Sequence, residues 1–404
     1  MNTRPVPLSF IFLLAAVFAL SPLAIDLYLS TIPSIAADFG APLQQLAITV
    51  SLYILGLSIG QFFGGPLSDY WGRRQVLFLG LGIFAVASMV LATANALEVF
   101  WAARVLQAIG GGFASVVVPA MIRDNTEGRA TAKLFSLIAL ITIFAPAVAP
   151  ALGTLIFKLF GWRAVFVVLA AYALLVLLAT WRFLHSPARP PSFPHGAVKQ
   201  SLLQRYRHVL GNRMAMRYLL AQGLGFAVMM SFLVNSSLVY IEHYGQSESV
   251  FSLLFAANII TLGVGNRINA YLLNTLSPAR ILFAALLLQS TACVALLIAT
   301  PFDPPLWLVV VLVMLSVGAL GGAMGNSQAC CLHFFPHHSG IAAALLGSAQ
   351  YLIGAVLSAI STRFVSDLIW PMSVAMAACA LLALLAVPRP ARFEQLLDQE
   401  HAAA

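Results

Sequence analysis

Twelve apolar runs of roughly 20 residues recur along the chain, each long enough for a helix to cross a hydrocarbon layer of about 30 Å. No other feature restricts the fold as tightly. Inside a bilayer every backbone N–H and C=O needs a partner, and a helix supplies all of them within its own segment. The runs lie at 8–31, 44–64, 76–94, 99–122, 132–157 and 164–184, then at 216–240, 250–271, 281–299, 306–330, 340–362 and 368–387. A mean hydropathy of +0.94, with 61% hydrophobic and 8% charged residues, puts the chain outside the soluble range. The expected class is an all-α integral membrane protein.

The net charge of +8 raises the question of nucleic acid, and its distribution answers it. With both termini in the cytoplasm, the outer loops hold only Lys158, Arg163 and Arg363, and Arg104 lies within a span. The other seventeen basic residues fall on the inner side, which is the bias that sets membrane orientation. Asp38, Glu98, Glu242, Glu248 and Asp303 occupy the outer loops. This reading places the protein in the bacterial inner membrane, multi-pass, with both ends cytoplasmic. Cys293, Cys330, Cys331 and Cys379 sit in or at the ends of apolar runs and imply no disulfide framework. The first run continues through Pro22 and Asp26 without a small-residue cleavage site, so it reads as an uncleaved span.

Composition changes sharply from His185, where Ser-Pro-Ala-Arg-Pro-Pro opens a polar linker. It divides the chain into a six-helix bundle at 1–184, a cytoplasmic linker at 185–214, a second six-helix bundle at 215–390 and a tail at 391–404. Leu202, Leu203, Tyr206, Val209 and Leu210 repeat at helical spacing beside basic residues, as in a helix lying on an anionic leaflet. A plain basic loop fits the same residues. Two six-helix halves are what parallel-repeat transporters have, with the binding site between them at the midplane.

Several patterns imitate chemistry without its framework. Gly56-Leu-Ser-Ile-Gly60 matches a hydrolase elbow, and Gly80-Leu-Gly-Ile-Phe-Ala85 a dinucleotide fingerprint, but both lie inside apolar helices rather than at strand–helix turns. Their glycines read as close helix packing. His333, His337 and His338 have a metal-like spacing that Pro336 interrupts, so no metal is expected. No catalytic constellation and no phosphate-binding loop appear, so the protein is not expected to be an enzyme, and no cofactor is expected. Any pumping would draw on an ion gradient.

Two ionisable residues stand out well inside spans, where charge is costly and marks function by default. Asp26 lies in the first run and Arg104 in the fourth. A carboxylate removed from water holds its proton more tightly, and a nearby guanidinium loosens it. An acid whose protonation follows what fills a cavity can couple proton entry to substrate exit. A structural Asp26–Arg104 ion pair is the alternative. Tyr28, Tyr53, Gln107, Asn235, Asn258 and Gln350 are the candidates for the rest of a cavity, or else bridge helices by hydrogen bonds.

Gly65-Pro-Leu-Ser-Asp-Tyr-Trp-Gly-Arg-Arg74 resembles the signature loop between spans two and three of the major facilitator superfamily. Arg104-Val-Leu-Gln-Ala-Ile-Gly110 resembles its fourth-span motif, and Ala145-Pro-Ala-Val-Ala-Pro-Ala-Leu-Gly153 its antiporter motif. Pro22-Leu-Ala-Ile-Asp-Leu-Tyr-Leu, Met121-Ile-Arg-Asp124, Val239-Tyr-Ile-Glu242 and Phe335-Pro-His337 are similar to the Bcr/CflA branch of drug/proton antiporters. The resemblance implies two six-helix bundles, with Asp26 exchanging protons and Arg104 modulating it. It implies that Gly65, Asp69, Gly72, Arg73, Arg74 and Asp124 form a cytoplasmic gate latch, with Arg73 bridging Asp69 and Asp124. Asp69 would face the N-terminus of the eleventh helix, where the dipole favours it. Pro146, Pro150 and Gly153 would shape a contact between the halves. The chain departs from the pattern at Ser30, where proline is common, at Ala145, and at Thr154, where a second glycine is usual.

The implied activity is proton-coupled export of drugs or other small amphiphilic molecules by a monomer that changes access from one side to the other. Export of a siderophore, cysteine or short peptide is the alternative, and substrate/proton import a further one.

Overall fold

The structure, a computed structural model, describes residues 8–125, 145–184, 207, 209–335, 339–362, 369–391 and 395. The chain divides into two compact units, Met1–Val198 and Lys199–Ala404. Among the described residues nine helices are long and apolar enough to cross a membrane. Three shorter apolar helices, Ala145–Phe160, Leu345–Ser361 and Trp370–Ala386, bring the number to twelve. Six belong to each unit.

In the first unit the spans are Phe10–Phe39, Leu43–Ser68, Arg73–Thr93, Leu97–Ile122, Ala145–Phe160 and Trp162–Phe183. The fourth packs against the first three through consecutive glycines. A Cβ on Gly110 would meet the Phe84 amide at 2.7 Å on the third span. One on Gly111 would meet Ser21 Oγ of the first at 2.8 Å, and one on Gly112 the Leu57 carbonyl of the second at 2.7 Å. Successive residues on a helix point about 100° apart, so three adjacent glycines serve three neighbours. Gly56 and Gly60 approach the Val105 and Ile109 carbonyls, where a Cβ would lie 2.5 Å away. Gly80 faces Gly110. Both enzyme-like glycine patterns are therefore helix contacts, the usual means of close approach where lipid offers no hydrophobic drive.

The second unit holds Arg213–His243, Glu248–Leu272, Pro278–Phe302, Leu306–His333, Leu345–Ser361 and Trp370–Ala386. The Asn212 side chain caps the first of these by accepting from the Met214 and Ala215 amides, both at 3.0 Å. Buried amides clip neighbours together. Gln289 Nε2 donates to the Gly225 and Ser316 carbonyls at 3.3 and 3.2 Å, and Asn326 Nδ2 to Asn269 Oδ1 at 2.6 Å.

Two expectations need correction. The charged stretch from Gly65 to Arg74 is not a loop: helix runs through Leu43–Trp71 and resumes at Arg73–Thr93, leaving Gly72 alone between them. Gly72 has φ 101° and ψ 149°, a conformation that side-chain-bearing residues rarely adopt, so one glycine makes the whole turn. The first span also continues past residue 31 to Phe39, after a break described below. In the linker only 207 and the helical residues 209–211 are described before Asn212; the tail beyond 395 lies outside the described residues.

Candidate functional site

The first span is two helices. Its α-helix, Leu8–Asp26, ends at the acidic residue; turn residues and a 3-10 segment, Leu29–Thr31, follow, and helix resumes over Ile32–Phe39. Pro33, in the first turn of the second piece, has no N–H to offer the preceding turn and so starts a helix rather than continuing one. Both Thr31 N and Thr31 Oγ1 donate to the Tyr28 carbonyl, at 2.9 and 2.7 Å, which closes the bend. A helix end leaves open carbonyls and a partial negative charge. One of them, Ala24 O, accepts from Arg104 Nη1 at 3.2 Å.

Arg104 is fully buried. Its Nη1 also donates to Gln107 Oε1 at 2.7 Å, and Gln107 Nε2 in turn donates to Ser88 Oγ at 2.8 Å. The guanidinium carbon lies 4.1 Å from the centre of the Tyr28 ring and 4.6 Å from that of Tyr53. Each such contact contributes on the order of 2 kcal/mol when water is excluded. The Tyr28 hydroxyl and Thr49 Oγ1 are 3.0 Å apart.

Asp26 is 4% exposed. Among the described residues its carboxyl forms neither a hydrogen bond nor an ion pair, although Arg104 is anchored two residues away on Ala24. The structural ion pair is therefore not the arrangement here: aromatic faces and carbonyl oxygens hold the guanidinium, and among the described residues the acid has no hydrogen-bonding or ionic partner.

The fifth span closes the other side of the break. A Cβ on Gly153 would stand 2.6 Å from the Leu27 carbonyl carbon and 3.0 Å from Leu27 Cα. Next to it, Thr154 Oγ1 donates to Ser30 Oγ at 2.9 Å. The close partner of Gly153 thus lies in its own unit, one residue beyond Asp26. Pro150 is buried and Pro146 half-buried on the same helix.

Of the latch residues, Gly72 makes the turn and Gly65 O accepts from Ser68 Oγ at 2.8 Å. Arg73 Nη1 donates to Ser68 Oγ at 2.5 Å. Arg74 Nη2 donates to the Trp181 carbonyl at 3.4 Å, and its guanidinium lies over Phe78. The side chains of Asp69 and Asp124 lie outside the described residues, as do His337 and His338.

The six cavity candidates do not form one group. Tyr28, Tyr53 and Gln107 gather around Arg104. In the second unit, Asn235 Nδ2 donates to Ser361 Oγ at 2.9 Å, and Gln350 Oε1 accepts from Gln222 Nε2 at 2.6 Å. Asn258 Nδ2 donates to Leu254 O of its own helix. The Val239–Glu242 motif lies in a π-helical turn, Leu238–His243, that ends the seventh span. Surface cavities of about 560 Å³, lined by Arg207, Asn212 and Phe335 among others, and about 460 Å³, beside Arg217 and Arg389, touch none of these residues.

The sequence reading missed Ser88, bonded to Gln107, Thr49, beside Tyr28, and Phe166, whose ring centre is 5.9 Å from the Arg104 guanidinium carbon, as well as the Ser30–Thr154 bond. Serines and threonines in apolar helices carry no pattern that marks them. Ser30 and Thr154 were visible only as departures from a familiar motif.

Comparison with known proteins follows the same lines. The model of the Major Facilitator Superfamily matches residues 14–359. A bicyclomycin resistance protein homolog of Haemophilus influenzae is 28% identical, over 96% of this chain and 97% of the relative. The multidrug resistance protein MdtL of Klebsiella pneumoniae is 30% identical, over 94% and 96%. Among solved structures, a D-xylose-proton symporter superimposes with a TM-score of 0.77 at 17% identity, covering 95% of this chain and 98% of the other.

Proposed function

Since the chain belongs to the Major Facilitator Superfamily, and is therefore a membrane transporter of small molecules rather than an enzyme, we propose that it is a proton-coupled exporter of drugs or similar amphiphiles. It would work by alternating access in the bacterial inner membrane, as a monomer with both termini cytoplasmic and no cofactor beyond the proton gradient. The observation that carries the reading is Asp26: a carboxyl 4% exposed, at the break of the first span, with no hydrogen-bonding or ionic protein partner among the described residues. An uncompensated charge in such a place costs several kcal/mol, so the group is suited to carry a proton while dry and to release it when water enters.

The neighbouring residues keep that group in place. Arg104 caps the helix end at Ala24, and the two tyrosines hold its guanidinium flat. Arg104 is on this view a positioning residue. Relatives named for bicyclomycin and multidrug resistance cover nearly the whole chain, which supports a drug as substrate. With only one buried acid among the described residues, neutral or weakly charged amphiphiles suit the site better than strong cations. The Gly72 turn, Arg73 and Arg74, with Asp69 and Asp124, would latch the cytoplasmic side.

The test is an efflux screen in a transporter-depleted bacterium, with bicyclomycin, other neutral antibiotics and quaternary ammonium compounds, each with and without a protonophore. Protonophore-sensitive resistance to the neutral compounds is expected, and Asp26→Asn should abolish it with the protein still inserted. Unchanged efflux by Asp26→Asn at several pH values would sink the proton role. Better resistance to quaternary ammonium compounds would overturn the substrate class. No drug phenotype, with accumulation of a cell metabolite on deletion, would favour export of an endogenous compound.

A further inference from the structure

We propose that the Ser30–Thr154 hydroxyl pair is a positioning clip for Asp26, tying the broken part of the first span to the fifth so that the carboxyl stays sequestered. The proposal rests on the proton-handling reading of Asp26. Ser30 is 1% exposed and Thr154 5%, and the bond between them is 2.9 Å long. A hydroxyl buried as deeply as that of Ser30 needs a partner, since left alone it costs more than the bond returns.

Their place in the fold gives the bond its meaning. Residues 27–31 lie between the two helices of the first span, where the backbone bonding changes from the α type at Leu27 to the tighter i→i−3 type at Thr31 and Ile32. External groups supply what the backbone lacks there. On the N-terminal side of Asp26, Arg104 holds the Ala24 carbonyl. On the C-terminal side, Gly153 presses on Leu27 and Thr154 holds Ser30. Residues 153 and 154 are consecutive on one rigid helix, so they fix the break at two points three residues apart. A shift of the fifth span therefore acts directly on the backbone that carries Asp26.

The test uses purified full-length protein in detergent, with dicyclohexylcarbodiimide labelling of Asp26 followed by mass spectrometry. The variants are Ser30→Ala, Thr154→Val and their double, with Ser30→Thr and Thr154→Ser keeping a hydroxyl. Each deletion should raise the Asp26 labelling rate about fivefold, the factor carried by one net hydrogen bond. The double variant should go no further than either single, because both remove the same bond. The conservative variants should stay near wild type. Deletions that lower the melting temperature yet leave Asp26 labelling unchanged would reduce the pair to ordinary packing and overturn the clip. So would a double variant whose rate is the product of the two singles. Gradient-driven efflux by Asp26→Asn overturns the coupling reading instead, and the clip's purpose with it, whatever the labelling shows.

Discussion

Replacing Gly153 by alanine adds one methyl group at the tightest helix contact near Asp26. That carbon would lie 2.6 Å from the Leu27 carbonyl carbon and 3.0 Å from Leu27 Cα, both backbone atoms that no rotamer change can move. Ordinary carbon contacts are about 3.5–4.0 Å, and the Leu27 carbonyl oxygen is nearer still to the added carbon, so the first and fifth spans must part by more than about 1 Å. Overpacking of this kind costs about 1–3 kcal/mol. The same displacement carries the 2.9 Å Thr154–Ser30 bond beyond hydrogen-bonding range, at a further cost of about 1 kcal/mol. Alanine's better helix propensity returns about 0.5–1 kcal/mol, leaving a net loss of roughly 1–3.5 kcal/mol. Gly82→Ala is the matched control, since a Cβ there meets nothing within 4 Å and only the propensity gain remains. Thermal unfolding in detergent, followed by tryptophan fluorescence, should show Gly153→Ala melting about 5–10 °C below wild type. Gly82→Ala should melt at or above it. If the two variants melt within about 1 °C of each other, the close approach of the first and fifth spans is refuted, whatever happens to transport.

Arg104→Lys keeps a cation but cannot lie flat between Tyr28 and Tyr53 while holding Ala24 and Gln107, so a loss of about 2 kcal/mol and of most efflux is expected. An Arg104→Lys protein with wild-type melting and transport would count against the stacked arrangement. Just past the C-terminal end of the seventh span, Tyr244 donates to the Pro304 carbonyl at 2.6 Å, and Tyr244→Phe should cost about 1 kcal/mol. Burial, reinforced by the Asp303 charge, pushes the Tyr244 hydroxyl up to about 12. The folded state thus holds this proton more tightly than the unfolded chain does. The contribution should be whole below pH about 10 and fade as the pH rises toward about 12. Melting of wild type and Tyr244→Phe between pH 7 and pH 11 checks this, and a gap that closes already near neutrality would contradict it.

Much of the fold was legible because hydropathy is local and additive. Each span announces itself within its own residues, and a boundary error of a few positions leaves the count intact. The Gly65–Arg74 stretch misled for the opposite reason: its charges mark the membrane edge, but whether backbone there is loop or helix depends on one glycine's torsion angles. Asp26 and Arg104 were both legible as costly residues. Their relation was not, since charge complementarity suggests a pair while the two tyrosine faces that hold the guanidinium arrive from residues 28 and 53. The Ser30–Thr154 bond joins positions 124 residues apart, and no periodicity of either helix hints at it.

The glycine triplet at 110–112 also bears on how this protein can diverge. Each glycine is held by a different neighbour, on the third, first and second spans in turn. A larger residue at any one of them needs a compensating change on a separate helix, and no single second mutation relieves more than one. The triplet should therefore drift slowly over evolutionary time. Lineages that acquire new substrates would do so by changing residues elsewhere in the bundle, around a fourth helix whose middle stays fixed.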